Sequence, residues 1–387
     1  MILKRALILC LFFIQQIGIN FIFFLIRIPL LPFSLFYYII IKIRNYFYDK
    51  KFIKIKKLPR PVISIGNITI GGSGKTPLVL ELLNQFDHAC VLTRGYKSEI
   101  TKQKLYPAFV PDGLSPKKFG DEPSLIKTKN INVNVIIDPN RYRGGEFALE
   151  SIPNIKFFIL DDGFQHRQLH RDLDLLVFDM DAFMKLDFLS KIISFSQMLP
   201  TGKFREPLSS LKRADFIILS KWSYINSKLL DETVLNIKKL NSEVHYADSK
   251  IIEIKNLKGQ QITIGPVLLF SGLGQPKFFE QDIKSGFNGL VVMEHVIFSD
   301  HYDYKIKDIK FLIKKAQSIN ASLVCSEKDF IKIKSLHENI GRTIDPTIDP
   351  NLYLNSDINQ IYFACQKLKL PEVLLNKILN VKVKSID

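Results

Sequence analysis

The chain has 387 residues, 47% of them hydrophobic, so it can bury a large core and is expected to hold more than one domain. Its formal net charge of +16 favours an anionic partner: nucleic acid, an anionic membrane or a phosphorylated substrate. No zinc-finger or RNA-recognition signature is present, which argues against nucleic acid. The four cysteines are far apart and lack metal-ligand spacing, so we expect free thiols in a reducing compartment.

The N-terminal region is apolar. Residues 6–26 carry no charge and are numerous enough to cross a hydrocarbon core of about 30 Å as a helix. A transmembrane anchor and a helix lying in the interface both remain open, whereas no small-residue cleavage site supports a secretory signal. A second apolar piece, residues 28–41, contains Pro29 and Pro32, which we expect to break or kink a helix. The lysines and arginines that follow predict contact with anionic lipid on the cytoplasmic side, in preference to a buried pair of core helices.

Residues 62–80 form the pattern around which the chain is organised. A short apolar strand is followed by Gly71, Gly72 and Gly74, then by Lys75 and Thr76 at the start of a helix. This layout is typical of a phosphate-binding P-loop, in which backbone N–H groups and the helix N-terminus surround phosphate oxygens. The first glycine of the general pattern is replaced here by Thr69, so the match is incomplete.

Two acidic pairs follow downstream. Asp161 and Asp162 come directly after an apolar strand at residues 156–160, the position from which P-loop enzymes hold Mg²⁺. A single aspartate after a strand is usually a turn residue, so this interpretation depends on the upstream P-loop. Asp121 and Glu122 lie in a predicted loop before a helix, which they could simply cap.

Strands and helices alternate through residues 62–221, which predicts an α/β fold: a P-loop NTPase-like, doubly wound, mostly parallel sheet with ligands at the carboxyl ends of its strands. A strand, a glycine turn and a helix recur near residues 265–279, which predicts a second, smaller α/β domain. We therefore expect four parts: a hydrophobic membrane-association segment with one or more helices at residues 1–48, a kinase-type domain at 49–229, the smaller domain at 230–370, and a C-terminal helix at 371–387 that can return to the first domain.

Seven motifs together resemble one family, the tetraacyldisaccharide 4′-kinases. They lie in order at residues 66–77, 93–96, 120–123, 161–166, 205–207, 299–301 and 326–329. A threonine at the position of Thr69 is usual in that family, which removes the objection to the P-loop. Two features depart from it: the N-terminal apolar run is longer than its usual single membrane helix, and Tyr302 stands where many members carry a second histidine.

The resemblance implies a bacterial enzyme at the cytoplasmic face of the inner membrane. It would use ATP and Mg²⁺ to phosphorylate the 4′-hydroxyl of a tetraacylated glucosamine disaccharide 1-phosphate in lipid A biosynthesis, with no obligate protein partner. The nucleotide-binding candidates are Thr69, Ile70, Gly71, Gly72, Ser73, Gly74, Lys75, Thr76 and Pro77. The remaining candidates are the catalytic Lys75, Asp121 and His301, the metal ligands Thr76, Glu122, Asp161 and Asp162, and Arg94 and Arg205 for the 1-phosphate.

Other basic residues, Arg141, Arg143, Arg167, Arg171 and Lys203, are weaker candidates for the 1-phosphate, and for most of them we expect solvated surface charges. The rival interpretation is a membrane-associated P-loop switch or transport ATPase, which would turn over nucleotide without a lipid acceptor. The sequence contains no Asn-Lys-x-Asp guanine motif in support of a GTP-driven switch.

Overall fold

The structure, a computed structural model, describes residues 27–113, 115–184, 194–225, 227–241, 243–343 and 358–383. The apolar run at residues 6–26 and Cys10 lie outside these residues. Within them, no helix is both long and apolar enough to span a bilayer.

The chain divides into two compact units. The first contains the described parts of Met1–Lys54 and Asp181–Ser210 together with Ile68–Ile70; the second contains Ile55–Asn67, Gly71–Met180 and the described part of Leu211–Asp387. The four parts expected from the sequence, with limits at residues 48, 229 and 370, stay predictions.

Helix α1 (Leu31–Asp49) is the main element of the first unit and follows a 3₁₀ turn at Ile28–Leu30. Pro29 and Pro32 lie in the first turns of these two helices, where proline is tolerated, so neither interrupts a helix interior. Arg44 and Asn45 of α1 donate hydrogen bonds of 3.1 and 3.0 Å to the fully buried carboxylate of Glu206. The 3₁₀ turn gives way to the α-helix between these prolines, so α1 is continuous from Leu31 and is tied to the segment around Glu206. The expected break in a longer apolar helix stays a prediction.

The second unit is built on an eight-stranded sheet of order β3-β4-β2-β5-β1-β6-β7-β8, parallel except for the edge pair β3 and β4. This confirms the predicted α/β class with a mostly parallel sheet. The strands are β1 (Val62–Gly66), β2 (Ala89–Thr93), β3 (Ala108–Phe109), β4 (Asn134–Ile137), β5 (Phe157–Asp161), β6 (Leu173–Asp179), β7 (Phe216–Ser220) and β8 (Val244–Tyr246).

Helices cover both faces of this sheet. Alternate residues of β5 enter two different cores: Phe157 and Ile159 belong to one, Phe158 and Leu160 to the other. Strands buried on both faces read as continuous apolar runs, which is why they are visible in the sequence. The helices are α2 (Lys75–Gln85), α3 (Glu99–Lys102), α4 (Pro116–Phe119), α5 (Asp121–Lys129), α6 (Arg141–Ser151), α7 (Met180–Met184) and α8 (Ser227–Lys238).

A second sheet of five strands lies in the same unit, in the order β11-β10-β12-β13-β9 with only β9 antiparallel. Its strands are β9 (Ser249–Lys255), β10 (Gly265–Ser271), β11 (Leu290–Ile297), β12 (Ser322–Ser326) and β13 (Ile361–Leu368). The accompanying helices are α9 (Pro276–Gly286), α10 (Ile306–Ser318), α11 (Glu327–Thr343) and α12 (Glu372–Val383). Leu374 and Ile378 of α12 pack in the core beneath the first sheet, together with Leu78 and Val79 of α2.

The segment before α5 differs from the predicted loop. Two helices, α4 and α5, meet at Gly120, whose φ of 96° is a left-handed value that favours glycine. Asp121 and Glu122 therefore form the first turn of α5. Both have the negative charge preferred at a helix N-terminus, and the turn holds them at a defined place.

Gly66, the last residue of β1, leaves no room for a side chain. A Cβ there would lie 2.5 Å from Phe164 Cβ and 2.6 Å from the Phe164 backbone nitrogen. We expect Gly66→Ala to lower the free energy of unfolding by about 1–3 kcal/mol, because the backbone of residue 164 must move. Chemical denaturation monitored by circular dichroism measures this.

Gly286→Ala is the matched control for Gly66→Ala, since a Cβ at Gly286 meets nothing within 4 Å. Equal stability of the Gly66 variant and the wild type would contradict this packing.

Candidate functional site

The glycine turn, residues 71–74, joins β1 to α2. Gly71 and Gly74 have φ angles of 106° and 92°, and Gly74 is the N-cap of α2. The turn is fixed at Ser73, whose Oγ accepts a hydrogen bond from Asn67 Nδ2 at 2.7 Å and whose carbonyl accepts one from Ser220 Oγ at 2.9 Å. Gly71 and Gly72 are exposed, so their backbone is open to a ligand at the N-terminus of an 11-residue helix.

Thr69 and Ile70 belong to the first unit. Thr69 forms an isolated antiparallel β-bridge with Phe204, and the Ile70 N–H donates to the carbonyl of Lys203 at 2.8 Å. In the same unit, the backbone N–H of Arg205 donates to the carbonyl of Ile68 at 2.7 Å. The two parts of the predicted nucleotide-binding segment are therefore divided between the units, with Gly71 to Pro77 in the second.

The acidic pair lies at the carboxyl end of β5. Strand β5 pairs with β1 on one side and β2 on the other. Asp161 is 2% exposed and accepts a hydrogen bond from Thr93 Oγ1 of β2 at 3.1 Å, whereas Lys75 Nζ of α2 lies 3.4 Å from Asp162 Oδ1. Adjacent parallel strands thus bring a lysine and two carboxylates together, as the sequence predicts.

Burial raises the pKa of Asp161 well above its usual range. Nearby negative charges on Glu122 and Asp162 raise this pKa further, and the Lys75 ammonium opposes them. Asp161 Oδ1 is buried and has no hydrogen-bond partner in the described part of the chain. Three carboxylates therefore crowd one place, which is unfavourable without a cation and suits a bound one.

The described residues contain no ready-made cluster of three or more His, Cys, Asp or Glu side chains that could hold a metal ion. Mg²⁺ is usually held by one or two carboxylates together with water and phosphate oxygens. The oxygen donors of Asp161, Asp162 and Glu122 are of the hard type that Mg²⁺ prefers.

Asp121 lies among basic side chains from the loop after β11 and from α11. His301 Nδ1 donates to Asp121 Oδ2 at 2.8 Å, and Lys332 Nζ and Lys328 Nζ lie 2.9 and 3.7 Å from the same oxygen. Burial alone would raise the pKa of Asp121, but the His301 hydrogen bond and the two lysine charges outweigh it and lower the pKa to about 2. Asp121 is therefore ionised throughout the physiological range.

His301 lies in the loop after β11, and its backbone is held by Gly272 in the turn after β10. Its φ of 61° is left-handed, and its backbone N–H donates to the carbonyl of Gly272 at 3.2 Å. The Gly272 N–H in turn donates to the buried carboxylate of Asp329 at 3.1 Å. A strained backbone held by several neighbours is a feature often found at functional sites.

Two of the arginines are not the surface charges expected from the sequence. Arg141 is 4% and Arg167 8% exposed. Burial lowers the pKa of Arg141 to about 10, although the carboxylates of Asp162 and Asp161 oppose this effect. Burial and the charge of Arg141 also lower the pKa of His166 to about 4, so this imidazole is neutral. Arg141 departs from the expectation because α6 directs it towards the carboxyl end of β5.

The other arginines differ among themselves. Arg94 is exposed at the end of β2. Arg143 makes two hydrogen bonds to Asp138, at 2.7 and 2.8 Å, and Arg171 donates to the carbonyl of Phe164 at 3.2 Å. Arg143 and Arg171 thus have structural contacts of their own, whereas Arg94 remains accessible.

Lys221 is a residue that sequence reasoning missed. Its Nζ donates to the carbonyl of Gly72 at 2.6 Å and to Asp179 Oδ2 at 2.6 Å, and it also donates to Gln275 just before α9. Lys221 thus links the glycine turn to the end of β6 and to the second sheet. The available signal was its place directly after β7, at the same edge of the sheet as Gly71 and Asp161.

Lys332 was also missed, and Lys328 was named only as part of a motif. They lie four residues apart and therefore on one face of α11. A pair of lysines on a helix normally indicates a solvated surface, and only the three-dimensional structure relates these two to Asp121.

Comparison with known proteins identifies the family of this chain. A sequence profile of the family described as tetraacyldisaccharide-1-P 4′-kinase matches residues 26–359. This chain belongs to that family. It is 38% identical to the tetraacyldisaccharide 4′-kinase of Aquifex aeolicus over 72% of this chain and 84% of that protein. The enzyme of the same name from Bdellovibrio bacteriovorus is 32% identical over 80% of this chain and 90% of that protein.

A solved structure of a family member has the same fold. It is described as the "apo" form of LpxK from Aquifex aeolicus in complex with ATP. The two chains are 30% identical and superpose with a TM-score of 0.65, over 92% of this chain and 99% of that one.

Lys221→Met removes the hydrogen bond to the Gly72 carbonyl. We expect faster hydrogen–deuterium exchange at residues 71–74, because a local contact that restrains the turn is lost. Lys277→Met, a change at an exposed lysine next to a ring, is the control. Unchanged exchange in the Lys221 variant would show that this lysine does not restrain the turn.

Proposed function

We propose that this protein is a tetraacyldisaccharide 4′-kinase. It transfers the γ-phosphoryl group of ATP to the 4′-hydroxyl of a tetraacylated glucosamine disaccharide 1-phosphate, a step of lipid A biosynthesis. The observation that carries this proposal is the family match across residues 26–359. The ATP complex of the Aquifex aeolicus relative supports ATP as the phosphoryl donor.

The glycine turn and α2 form the proposed P-loop of an NTPase-like fold. Exposed backbone at Gly71 and Gly72 binds phosphate oxygens, and Thr69 to Pro77 form the complete nucleotide-binding segment. Lys75 neutralises charge on the transferred group; its 3.4 Å contact with Asp162 supports a place beside the acidic pair.

Mg²⁺ is the proposed metal. Thr76, Asp161, Asp162 and Glu122 would hold it, directly or through water, which accounts for the crowded carboxylates and the unpartnered oxygen of Asp161. When bound, the ion neutralises charge on the phosphate oxygens.

Asp121 is the proposed base. A carboxylate that stays ionised can accept the proton of the 4′-hydroxyl as its oxygen attacks the γ-phosphorus and the bond to the ADP oxygen breaks. The 2.8 Å hydrogen bond from His301 Nδ1 orients this carboxylate. The low pKa makes Asp121 a weak base, which suits a loose transition state in which the hydroxyl keeps its proton until late.

Arg94 and Arg205 are proposed to bind the anionic 1-phosphate, since guanidinium groups form paired hydrogen bonds with phosphate. The exposure of Arg94 supports this role.

The protein is proposed to work at the cytoplasmic face of the inner membrane. One face of α1 exposes a row of large apolar side chains: Phe33, Leu35, Phe36, Ile39, Ile40, Ile43, Tyr46 and Phe47. Exposed lysines lie on this helix, at Lys42, and directly after it, at Lys50, and they suit anionic headgroups. A helix of this kind would keep the enzyme beside the acyl chains of its substrate.

Two single substitutions test the chemistry. We expect Lys75→Ala and Asp121→Ala each to abolish transfer of label from γ-labelled ATP to the lipid disaccharide, because phosphate neutralisation or the proton acceptor is lost. Thin-layer chromatography of the lipid product measures transfer, and circular dichroism confirms folding. Lys310→Met, at an exposed lysine of α10, serves as the control. Near-normal transfer by the Asp121 variant would exclude it as the base.

Membrane docking is tested at Phe33 and Phe36, which are 63% and 66% exposed. We expect the double variant Phe33→Asp, Phe36→Asp to reduce binding to phosphatidylglycerol vesicles about tenfold or more, since burying each ring contributes about 1.5–3 kcal/mol. Co-sedimentation of the full chain measures binding. Val373→Asp, at a side chain 64% exposed on α12, is the control. Binding unaffected by the double change would contradict docking through α1.

A further inference from the structure

We propose that Lys332, assisted by Lys328, is a positioning residue for phosphoryl transfer: it anchors one oxygen of Asp121 and so leaves the other to face the acceptor hydroxyl. This inference rests on the proposed kinase function and adds a residue to it.

The contacts of Asp121 are divided unequally between its two oxygens. Lys332 Nζ at 2.9 Å, His301 Nδ1 at 2.8 Å and Lys328 Nζ at 3.7 Å all approach Oδ2. Oδ2 is thus the oxygen that these three basic groups contact. A carboxylate has lone pairs on both oxygens, so Oδ1 keeps its capacity to accept a proton while Oδ2 is held.

The ammonium group of Lys332 is close to Asp121 and is also restricted in position. Its side chain is 8% exposed, and that of Asp121 is 14% exposed, so the pair is shielded from water. Lys332 Nζ also donates to the carbonyl of Tyr302 at 3.1 Å. Exposed ion pairs contribute little, but a shielded pair with a second hydrogen bond has a defined geometry.

The Tyr302 contact adds a second effect. Tyr302 follows His301 in the chain, so one ammonium group holds both Asp121 and the backbone beside its histidine partner. Asp121 itself lies in the first turn of α5, and its carboxylate can rotate about its terminal torsion, which has a broad minimum. Lys332 on α11 and His301 in the loop after β11 both hold the carboxylate, which removes that rotational freedom.

Correct placement of a reacting group is worth a large rate factor, and a misplacement of about 1 Å can cost on the order of 100-fold. If Lys332 acts by placing Asp121, its loss must lower kcat. It must not change the affinity for ATP, because the glycine turn and Lys75 lie on other elements.

The test uses Lys332→Met in the full chain, with kcat and KM measured for ATP and for the lipid disaccharide. We expect kcat to fall by about 10- to 100-fold, with both KM values within about twofold of the wild type. Lys332→Arg keeps the charge and is expected to retain more activity than the Met variant. Lys310→Met again controls for loss of an exposed lysine.

A double-mutant cycle separates positioning from a general loss of structure. In an Asp121→Asn background, Lys332→Met is expected to lower the residual rate less than twofold, because the group it positions is already inactive. An equal fold-loss in both backgrounds, or an unchanged kcat in the single variant, overturns the role of Lys332. If the Met variant fails to fold, full activity of Lys332→Gln overturns it equally.

The wild-type measurement distinguishes this inference from the function on which it rests. Absence of label transfer by the wild type contradicts the kinase and the role of Lys332 together. Normal wild-type transfer with an unaffected Lys332→Met variant contradicts the positioning role alone.

Discussion

The carboxyl edge of the eight-stranded sheet is the constraint on which the site depends. Strand β5 lies between β1 and β2 and is parallel to both, so the carboxyl ends of the three strands lie side by side. The glycine turn follows β1, Thr93 ends β2, and Asp161 ends β5. The hydrogen bond from Thr93 to Asp161 and the contact between Lys75 and Asp162 are consequences of this register. A site made from strand ends needs a rigid sheet, and the continuous apolar burial of these strands provides one.

Burying the charged side chains at this edge of the sheet costs desolvation free energy, and neighbouring groups of opposite charge offset part of it. Asp161 and Arg141 are both nearly inaccessible, and the Asp161 carboxylate raises the pKa of Arg141, which favours its charged form. Asp121 is compensated more strongly, by one histidine and two lysines. Asp161, Asp162 and Glu122 together form an excess of negative charge, which the Lys75 ammonium offsets only in part. Such an imbalance suits a site that takes up a cation together with a polyanionic nucleotide.

Local sequence patterns predicted the parallel sheet and the polar residues at the carboxyl ends of its strands. The site residues that were missed reach the site through long-range contacts. The strand before the acidic pair lies at Phe157–Asp161, one residue from the predicted residues 156–160, because its apolar run ends at Asp161. His301 and Asp121 were named together through resemblance, not from any spacing.

Lys332 and the burial of Arg141 could not be predicted, because helix faces look alike in a sequence until their partners are known. Gly120 misled the prediction at α5: a left-handed residue that joins two short helices has the same local signature as a loop.

In the proposed function, nucleotide turnover and lipid phosphorylation are one reaction. The most direct measurement is the amount of ADP formed per phosphate placed on the lipid by the purified full chain, with and without the tetraacylated disaccharide. We expect a one-to-one ratio, with the new phosphate at the 4′ position by nuclear magnetic resonance and negligible ADP without lipid. ADP formed at the same rate without the disaccharide would contradict it and would favour a membrane-associated ATPase.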